Sequence, residues 1–354
     1  MKKKTAIAIS GGVDSLFAAY LLKQQGYDVT GIHFITGYEN NENLDSGKNN
    51  PELQKIAELA KKIEIGIEFV DCSSEFKRIV INYFTQTYKA GKTPNPCMVC
   101  NPSIKFGTVL EFAKKMGCTT LATGHYAGKI IGQDGLFHLL KGRDTKKDQS
   151  YFLSFLNQEQ LSCAMFPLYG FSKNEVSRLS EEKGLRPAVQ KESQDICFIR
   201  NNNYPEFLTQ ETGFEPHHGL IVDTKGKTIG SHKGIHLFTI GQRRGINCPA
   251  SKPYYVIRIG ADTNSVVVGS KNELLTNHCK VANINWIAKS FTSPVKVHTR
   301  IRYRSKEIPS TLFPEAGNCA TIEFESPQSA VIPGQGAVIY IGDEVIGGGF
   351  IENA

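Results

Sequence analysis

The chain has 354 residues, 40% of them apolar, and carries 41 Lys and Arg against 34 Asp and Glu for a net charge of +7. That size excludes a single small domain and allows two or three ordinary cores, while no apolar run approaches the ~20 residues of a membrane span. Nine cysteines behind a start, MKKKTAIAISGG, that breaks at glycines too early for a signal segment point to reduced thiols in a cytoplasmic protein, and the mild positive charge admits a nucleic-acid partner without requiring one.

In chain order, Ile7, Ala8 and Ile9 read as a strand covered on both faces, and Leu16, Phe17, Tyr20 and Leu21 recur at helical spacing. Gly11 and Gly12 therefore lie in the turn between them, inside the run SGGVDS at 10–15. Such a turn leaves backbone N–H groups without partners at the positive end of a helix, and glycine lets an anion come close to them. The hydroxyls of Ser10 and Ser15 add donors. A Walker loop is excluded, since neither its spacing nor its lysine is present. A carboxylate at Asp14, beside a bound phosphate, makes sense chiefly if a cation such as Mg²⁺ bridges them. The plain alternative is a glycine turn with Asp14 or Ser10 capping the helix. The stretch resembles the pyrophosphate loop of the ATP pyrophosphatase superfamily, whose members cleave ATP to AMP and pyrophosphate.

Downstream, DVTGIHFI reads as the second strand, PELQKIAELAKK as a helix with Pro51 in its first turn, IGIEFVD as a strand and TTLATGH as another. GKIIGQDGLFHLL reads as a hairpin turning at Asp134 and Gly135. The pattern predicts an α/β fold, with a doubly wound parallel sheet over residues 1–205. Beyond it, short β runs separated by DTKGK, GADTNS and GDE predict a small central β-rich domain at 206–270 and a C-terminal β-barrel or sandwich at 271–354. The polar run at 39–50 reads as a mobile loop.

GKTPNPCMVCNPSIKFG, residues 91–107, surrounds Cys97 and Cys100 with prolines and opens a helix near Ser103. Thiols at a helix start are favoured as thiolates, so one of this pair is a candidate nucleophile. A zinc half-site or a redox dithiol are the other readings of CxxC, although a second CxxC is missing. Cys197, preceded by Lys191, Glu192, Ser193, Gln194 and Asp195, reads by itself as a small buried hydrophobe, the commonest fate of a lone cysteine. In VKVHTRIRYRSK, strand alternation puts Arg300, Arg302, Arg304 and Lys306 on one face, a row suited to phosphates or to a charged edge strand.

The runs SGGVDS, TPNPCMVCN, ATGHYA, KKDQSYFL, KESQDICFI, HKGIHLFTIGQRRGI, IRYR and PGQGAVIYIGDEVIGGG stand in the order seen in the bacterial tRNA-specific 2-thiouridylases, and the chain resembles that family over nearly its full length. The resemblance implies thiolation at C2 of the wobble uridine of tRNA, after adenylation of the C2 oxygen. ATP would lie on Ala8, Ile9, Ser10, Gly11, Gly12, Val13, Asp14 and Ser15, with Phe34 and Gly124 lining the nucleotide site and Asp14 meeting Mg²⁺ carried by ATP. His125, Lys147, Asp148, Gln149, Arg302, Tyr303 and Gln335 would contact tRNA, and Asn95, Pro96 and Cys97 the target base. Cys197 matches the persulfide cysteine and Cys100 the nucleophile, which would release the sulfur by forming a disulfide with Cys197.

Many relatives carry aspartate where this chain has Cys97. Three thiols, Cys97, Cys100 and Cys197, then raise a second route, a [4Fe–4S] cluster with one open iron. The partners expected are tRNA and a sulfur carrier protein or cysteine desulfurase, the protein acting as a monomer with no membrane contact. Another adenylating ligase of the superfamily, or a non-catalytic RNA-binding module, are the competing readings. A ligase needs neither the cysteine pair nor an RNA-binding barrel.

Overall fold

The computed structural model describes residues 3–38, 51–186, 196–199, 203–249 and 252–353. The polar run at 39–50 and Lys191, Glu192, Ser193, Gln194 and Asp195 lie outside the described residues. Five parallel strands open the fold: β1 (Lys4–Ala8), β2 (Asp28–Ile35), β3 (Gly66–Asp71), β4 (Thr120–Ala122) and, after the hairpin β5 (Ala127–Ile131) and β6 (Phe137–Lys141), β7 (Ala164–Met165). They run in the order β3-β2-β1-β4-β7.

Alternation along β1 sends Ala6 and Ala8 to one face and Ile7 to the other, and each face meets its own buried cluster. Helix α1 (Val13–Gln24) buries Leu16, Phe17, Ala18, Ala19 and Leu22 in the second of these. The sheet is thus covered on both sides, as its apolar strands require. The chain leaves β1 toward β2 and β3 and then returns to place β4 on β1's other side. That reversal opens a crevice at the carboxyl ends of β1 and β4, the usual ligand position in such sheets.

The second sheet is built from β8 (Gly219–Asp223), β9 (Thr228–His232), β10 (Tyr255–Gly260) and β11 (Ser265–Gly269), in the order β10-β11-β8-β9. The third comprises β12 (Leu275–Trp286), β13 (Val295–Arg300), β14 (Ile308–Glu315), β15 (Cys319–Ser329), β16 (Gly336–Ile341) and β17 (Glu344–Asn353). These six antiparallel strands close through a β12–β17 pairing into a barrel filled by Val281, Val297, Leu312, Ile322 and Ile339.

The hairpin read at 128–140 forms as β5 and β6 but does not stay with its neighbours in sequence. It adds to the barrel through Glu344 opposite Leu140 and Val345 opposite Leu139.

Candidate active site

The phosphate loop leaves β1 and enters α1 with Gly11 in the left-handed region, at φ 77°, where a side chain is disfavoured. Ser15 Oγ accepts from the Ser10 backbone N–H at 3.2 Å and donates to the Gly12 carbonyl at 3.0 Å. Ser10 Oγ accepts from the Gly12 N–H at 3.4 Å and faces solvent. Gly12 occupies the N-cap position with no side-chain cap, which leaves the amides at the helix start to an incoming anion. Across the crevice Gly124 follows β4, and a Cβ placed there would stand 2.8 Å from the Ser15 amide nitrogen. The two turns meet so closely that only glycine fits. Phe34, half-buried at the end of β2, completes this side.

Asp14, expected to meet Mg²⁺ carried by ATP, is paired here within the protein. Lys173, the first residue of the helix Lys173–Glu182, holds both its oxygens at 2.7 and 2.8 Å, and Tyr126 Oη donates to Oδ1 at 2.8 Å. The carboxylate is therefore already neutralised.

His125 is buried beside Gly124, and its Nδ1 shares a 2.8 Å hydrogen bond with Thr123 Oγ1. Burial holds its imidazole well below the usual pKa, and the nearby charge of Lys105 adds to the effect. It is a neutral group at physiological pH.

The thiol segment departs from the sequence expectation in two ways. The helix opens at Pro96, not near Ser103, so Cys97 and Cys100 lie within Pro96–Cys100, which runs on as a π-helical stretch, Asn101–Val109. Proline at the first position needs no N–H partner there, which explains the earlier start. The thiols are also not favoured as thiolates: burial pushes Cys97 and Cys100 upward, and the Lys105 charge offsets only part of that. Desolvation outweighs the helix dipole here. The thiols of Cys197, Cys97 and Cys72 lie near enough to raise Cys100 further.

Cys197 is exposed on a turn anchored by the next residue, Phe198, which sits among Phe76, Phe84 and Phe207 at 5.7, 5.2 and 5.2 Å between ring centroids. All nine cysteines are free. Among the described residues, no group of three or more Cys, His, Asp and Glu is placed to hold a metal ion. Cys97, Cys100 and Cys197 thus do not fit the cluster weighed from the sequence.

The segment before Cys97 is held from far along the chain. Gln335 Nε2 donates to the Thr93 carbonyl at 3.1 Å and the Pro94 carbonyl at 2.9 Å, and the Thr93 N–H reaches the Pro333 carbonyl at 2.9 Å. Asn95 is buried, its N–H 3.3 Å from Tyr83 Oη. Gln335, expected at tRNA, is engaged inside the protein.

So is Asp148. Its side chain has 0% exposure and accepts from Arg300 Nη1 at 2.7 Å, from the Gly142 and Ser150 amides at 2.9 and 3.1 Å and from Ser150 Oγ at 3.0 Å. Gln149 Oε1 accepts from the Tyr126 N–H at 3.1 Å, and Lys147 is half-buried beside them.

The basic row is broken as well. β13 ends at Arg300, which is buried against Asp148 and Glu307, and 301–305 is a turn, so no strand carries the four cations on one face. Arg302, Arg304 and Lys306 remain exposed, while Tyr303 lies on Phe152 at 4.4 Å.

Sequence reasoning passed over Tyr126, Lys173, Lys105 and the inward role of Arg300. Tyr126 and Lys105 stand inside the quoted runs ATGHYA and NPSIKFG, whereas nothing local marks Lys173.

A domain family described as "tRNA methyl transferase HUP domain" matches residues 3–201, "tRNA methyl transferase PRC-barrel domain" residues 205–270, and "Aminomethyltransferase beta-barrel domain" residues 276–351. Among curated proteins, the chain is 45% identical to the tRNA-specific 2-thiouridylase MnmA of Desulfosudis oleivorans, over 98% of this chain and 94% of that protein. It is 42% identical to that of Geobacter metallireducens, over 100% and 98%. With that of Clostridium perfringens the identity is 38%, over 99% of both.

Proposed function

The chain belongs to the family of tRNA-specific 2-thiouridylases, and from that premise we propose that it replaces the C2 oxygen of the wobble uridine of tRNA with sulfur, at the expense of ATP. The observation that carries this reading is the likeness along the whole chain to proteins of that name, joined to a crevice in which a phosphate loop and a helix bearing two thiols serve one end of the sheet. A phosphate loop and paired thiols suit ATP cleavage and sulfur transfer. Methyl transfer would have no use for the phosphate loop.

Ala8 to Ser15, Phe34 and Gly124 receive ATP, brought as its Mg²⁺ complex, with the phosphates on the amides at the start of α1. The uridine C2 oxygen attacks the α-phosphorus, pyrophosphate leaves, and the oxygen becomes part of a good leaving group. The neutral His125 lies beside this position and can bond a base edge without adding charge. Asn95, Pro96 and Cys97 face the base. A wobble uridine is already single-stranded, so presenting it costs little.

The terminal sulfur of a Cys197 persulfide then attacks C2 and AMP departs with the original oxygen. Cys100 gives its proton to water, the Lys105 charge favouring the thiolate that forms, and attacks Cys197 Sγ; the S–S bond to the transferred sulfur breaks, and 2-thiouridine is released with a Cys100–Cys197 disulfide left behind. A thiol reductant supplies the two electrons that reset the pair. Exposure of Cys197 suits its loading by a sulfur carrier protein or a cysteine desulfurase, and the raised pKa of the half-buried Cys100 suits a thiol that reacts only once the site has assembled. Arg302, Tyr303, Arg304 and Lys306 on the barrel turn, with Lys147, offer contacts for tRNA, and the protein acts as a monomer. Among the described residues no helix is long and apolar enough to cross a membrane.

Mass spectrometry of nucleosides from tRNA incubated with the protein, ATP, Mg²⁺ and a persulfide donor tests the reading. Appearance of 2-thiouridine that requires both ATP and Cys197 is expected. ATP cleavage with no thiouridine in the tRNA would overturn it and return the chain to the adenylating ligases.

A further inference from the structure

Asp14 of the phosphate loop and Arg300 of the barrel lie far apart in sequence, yet hydrogen bonds join them through one short strap. Arg300 Nη1 meets Asp148 Oδ2 at 2.7 Å, and Asp148 precedes Gln149. Gln149 binds Tyr126 twice, its amide donating to the Tyr126 carbonyl at 2.9 Å and its Oε1 accepting from the Tyr126 N–H at 3.1 Å. Tyr126, 2% exposed, then donates from Oη to Asp14 Oδ1 at 2.8 Å. The same barrel turn grips the strap a second time, where Tyr303 packs on Phe152 at 4.4 Å in the helix Ser150–Leu153. Flanking these inward residues, Arg302 and Arg304 are exposed.

Resting on the reading of the chain as a tRNA-thiolating enzyme, we propose that Arg300 and Tyr126 are positioning residues. They form a strap, Arg300–Asp148–Gln149–Tyr126–Asp14, that couples RNA held on the barrel turn to the geometry of the phosphate loop. The physical argument is continuity and burial. Asp148 has no freedom to move without leaving a buried charge unpaired, so a displacement of the turn is passed to Gln149 rather than absorbed. Tyr126 receives it on both backbone groups and delivers it through a single hydroxyl. RNA on Arg302 and Arg304 pulls on the residues next to Arg300, so ATP cleavage responds to RNA held on the barrel turn as well as to the uridine presented at the α-phosphate.

The test is a double-mutant cycle with full-length protein, Tyr126→Phe against Arg300→Lys, reading the ratio of pyrophosphate release with and without tRNA, with filter binding of tRNA in parallel. Each single variant is expected to keep tRNA affinity within about twofold and lower the ratio at least fivefold, and the double variant to fall no further than the worse single one. Effects that multiply, or a ratio left at the wild-type value by Tyr126→Phe, overturn the strap. If Arg300→Lys fails to fold, Tyr126→Phe decides alone, since it removes one hydroxyl and keeps the ring. Thiouridine content of the wild-type reactions is scored separately, so failure of the thiolation reading is distinguished from failure of the strap.

Discussion

Ser10, Gly12 and Ser15 shape their turn with partners no more than five residues away, whereas Thr93 and Pro94, just ahead of the thiol helix, are bonded by Gln335, 242 and 241 positions later. Both serve the same end of one sheet. The phosphate loop is a local device: a strand, two glycines, two hydroxyls and a helix dipole assemble it wherever the run occurs. The thiol segment is a tertiary device, since prolines at 94 and 96 remove its own N–H groups and the barrel supplies the bonds. On the proposed reading, the local part would serve ATP cleavage, and the part built by distant contacts would tie sulfur transfer to the folded chain.

The contrast breaks most visibly at the barrel contact. Arg300→Met leaves the Asp148 carboxylate buried and without its cation, and is expected to cost about 3–5 kcal/mol in chemical denaturation. Adding Asp148→Asn should restore much of that, because the uncompensated charge is gone. A loss below about 1 kcal/mol would mean that the barrel and the sheet are not held through this pair.

On the local side, Gly124→Ala drives a Cβ to 2.8 Å from the Ser15 nitrogen, a backbone contact that cannot swing away. About 1–3 kcal/mol of overpacking is expected, read by calorimetry as ATP binding weaker by about fivefold or more. Affinity for tRNA should be unaltered. Equal weakening of both ligands would show that the crevice is not the self-contained unit described here.

Gln335→Ala removes two bonds to the segment ahead of Cys97, each contributing about 0.5–1.5 kcal/mol. The expected signature is a lower kcat for thiolation with an unchanged KM for ATP, since the phosphates are untouched. A rise in the KM for ATP alone would place Gln335 on the wrong side of the comparison.

The same division explains what could be read from the sequence. The second strand, DVTGIHFI, stands as Asp28–Ile35 and the helix at Pro51 as Pro51–Lys62, because periodicity and a first-turn proline are local signals. Gly11 and Gly12 were legible for that reason. The thiol pKa was not, since it depends on how deeply a helix is buried, and the dipole argument alone gave the opposite sign. Arg300 was misassigned because alternation assumes the strand continues, and only the partner waiting at Asp148 shows that it stops. The pairing of Asp14 with Lys173, 159 residues away, left no local signal either.

The smallest expected effect lies in the hairpin, which belongs to the first region by sequence and to the barrel by hydrogen bonding. His138 on β6 bonds Glu344 of β17 through Nδ1 and Asp134 through Nε2 at 3.1 Å. Glu344 first, then Asp134, raises the imidazole above its ordinary value, with burial opposing. The sign follows from linkage: a group whose folded-state pKa is raised contributes its stability fully below the unfolded value near ~6.5, and loses it as pH rises through the folded one. Asp134 is held below the usual carboxylate range, so it stays charged throughout that window. His138→Gln should therefore lower the melting temperature in mildly acidic buffer by an amount corresponding to about 1 kcal/mol, and by progressively less toward alkaline pH. A deficit that persisted unchanged at high pH would assign the contact to packing rather than charge. The hairpin would then be joined to the barrel by its strand pairing alone.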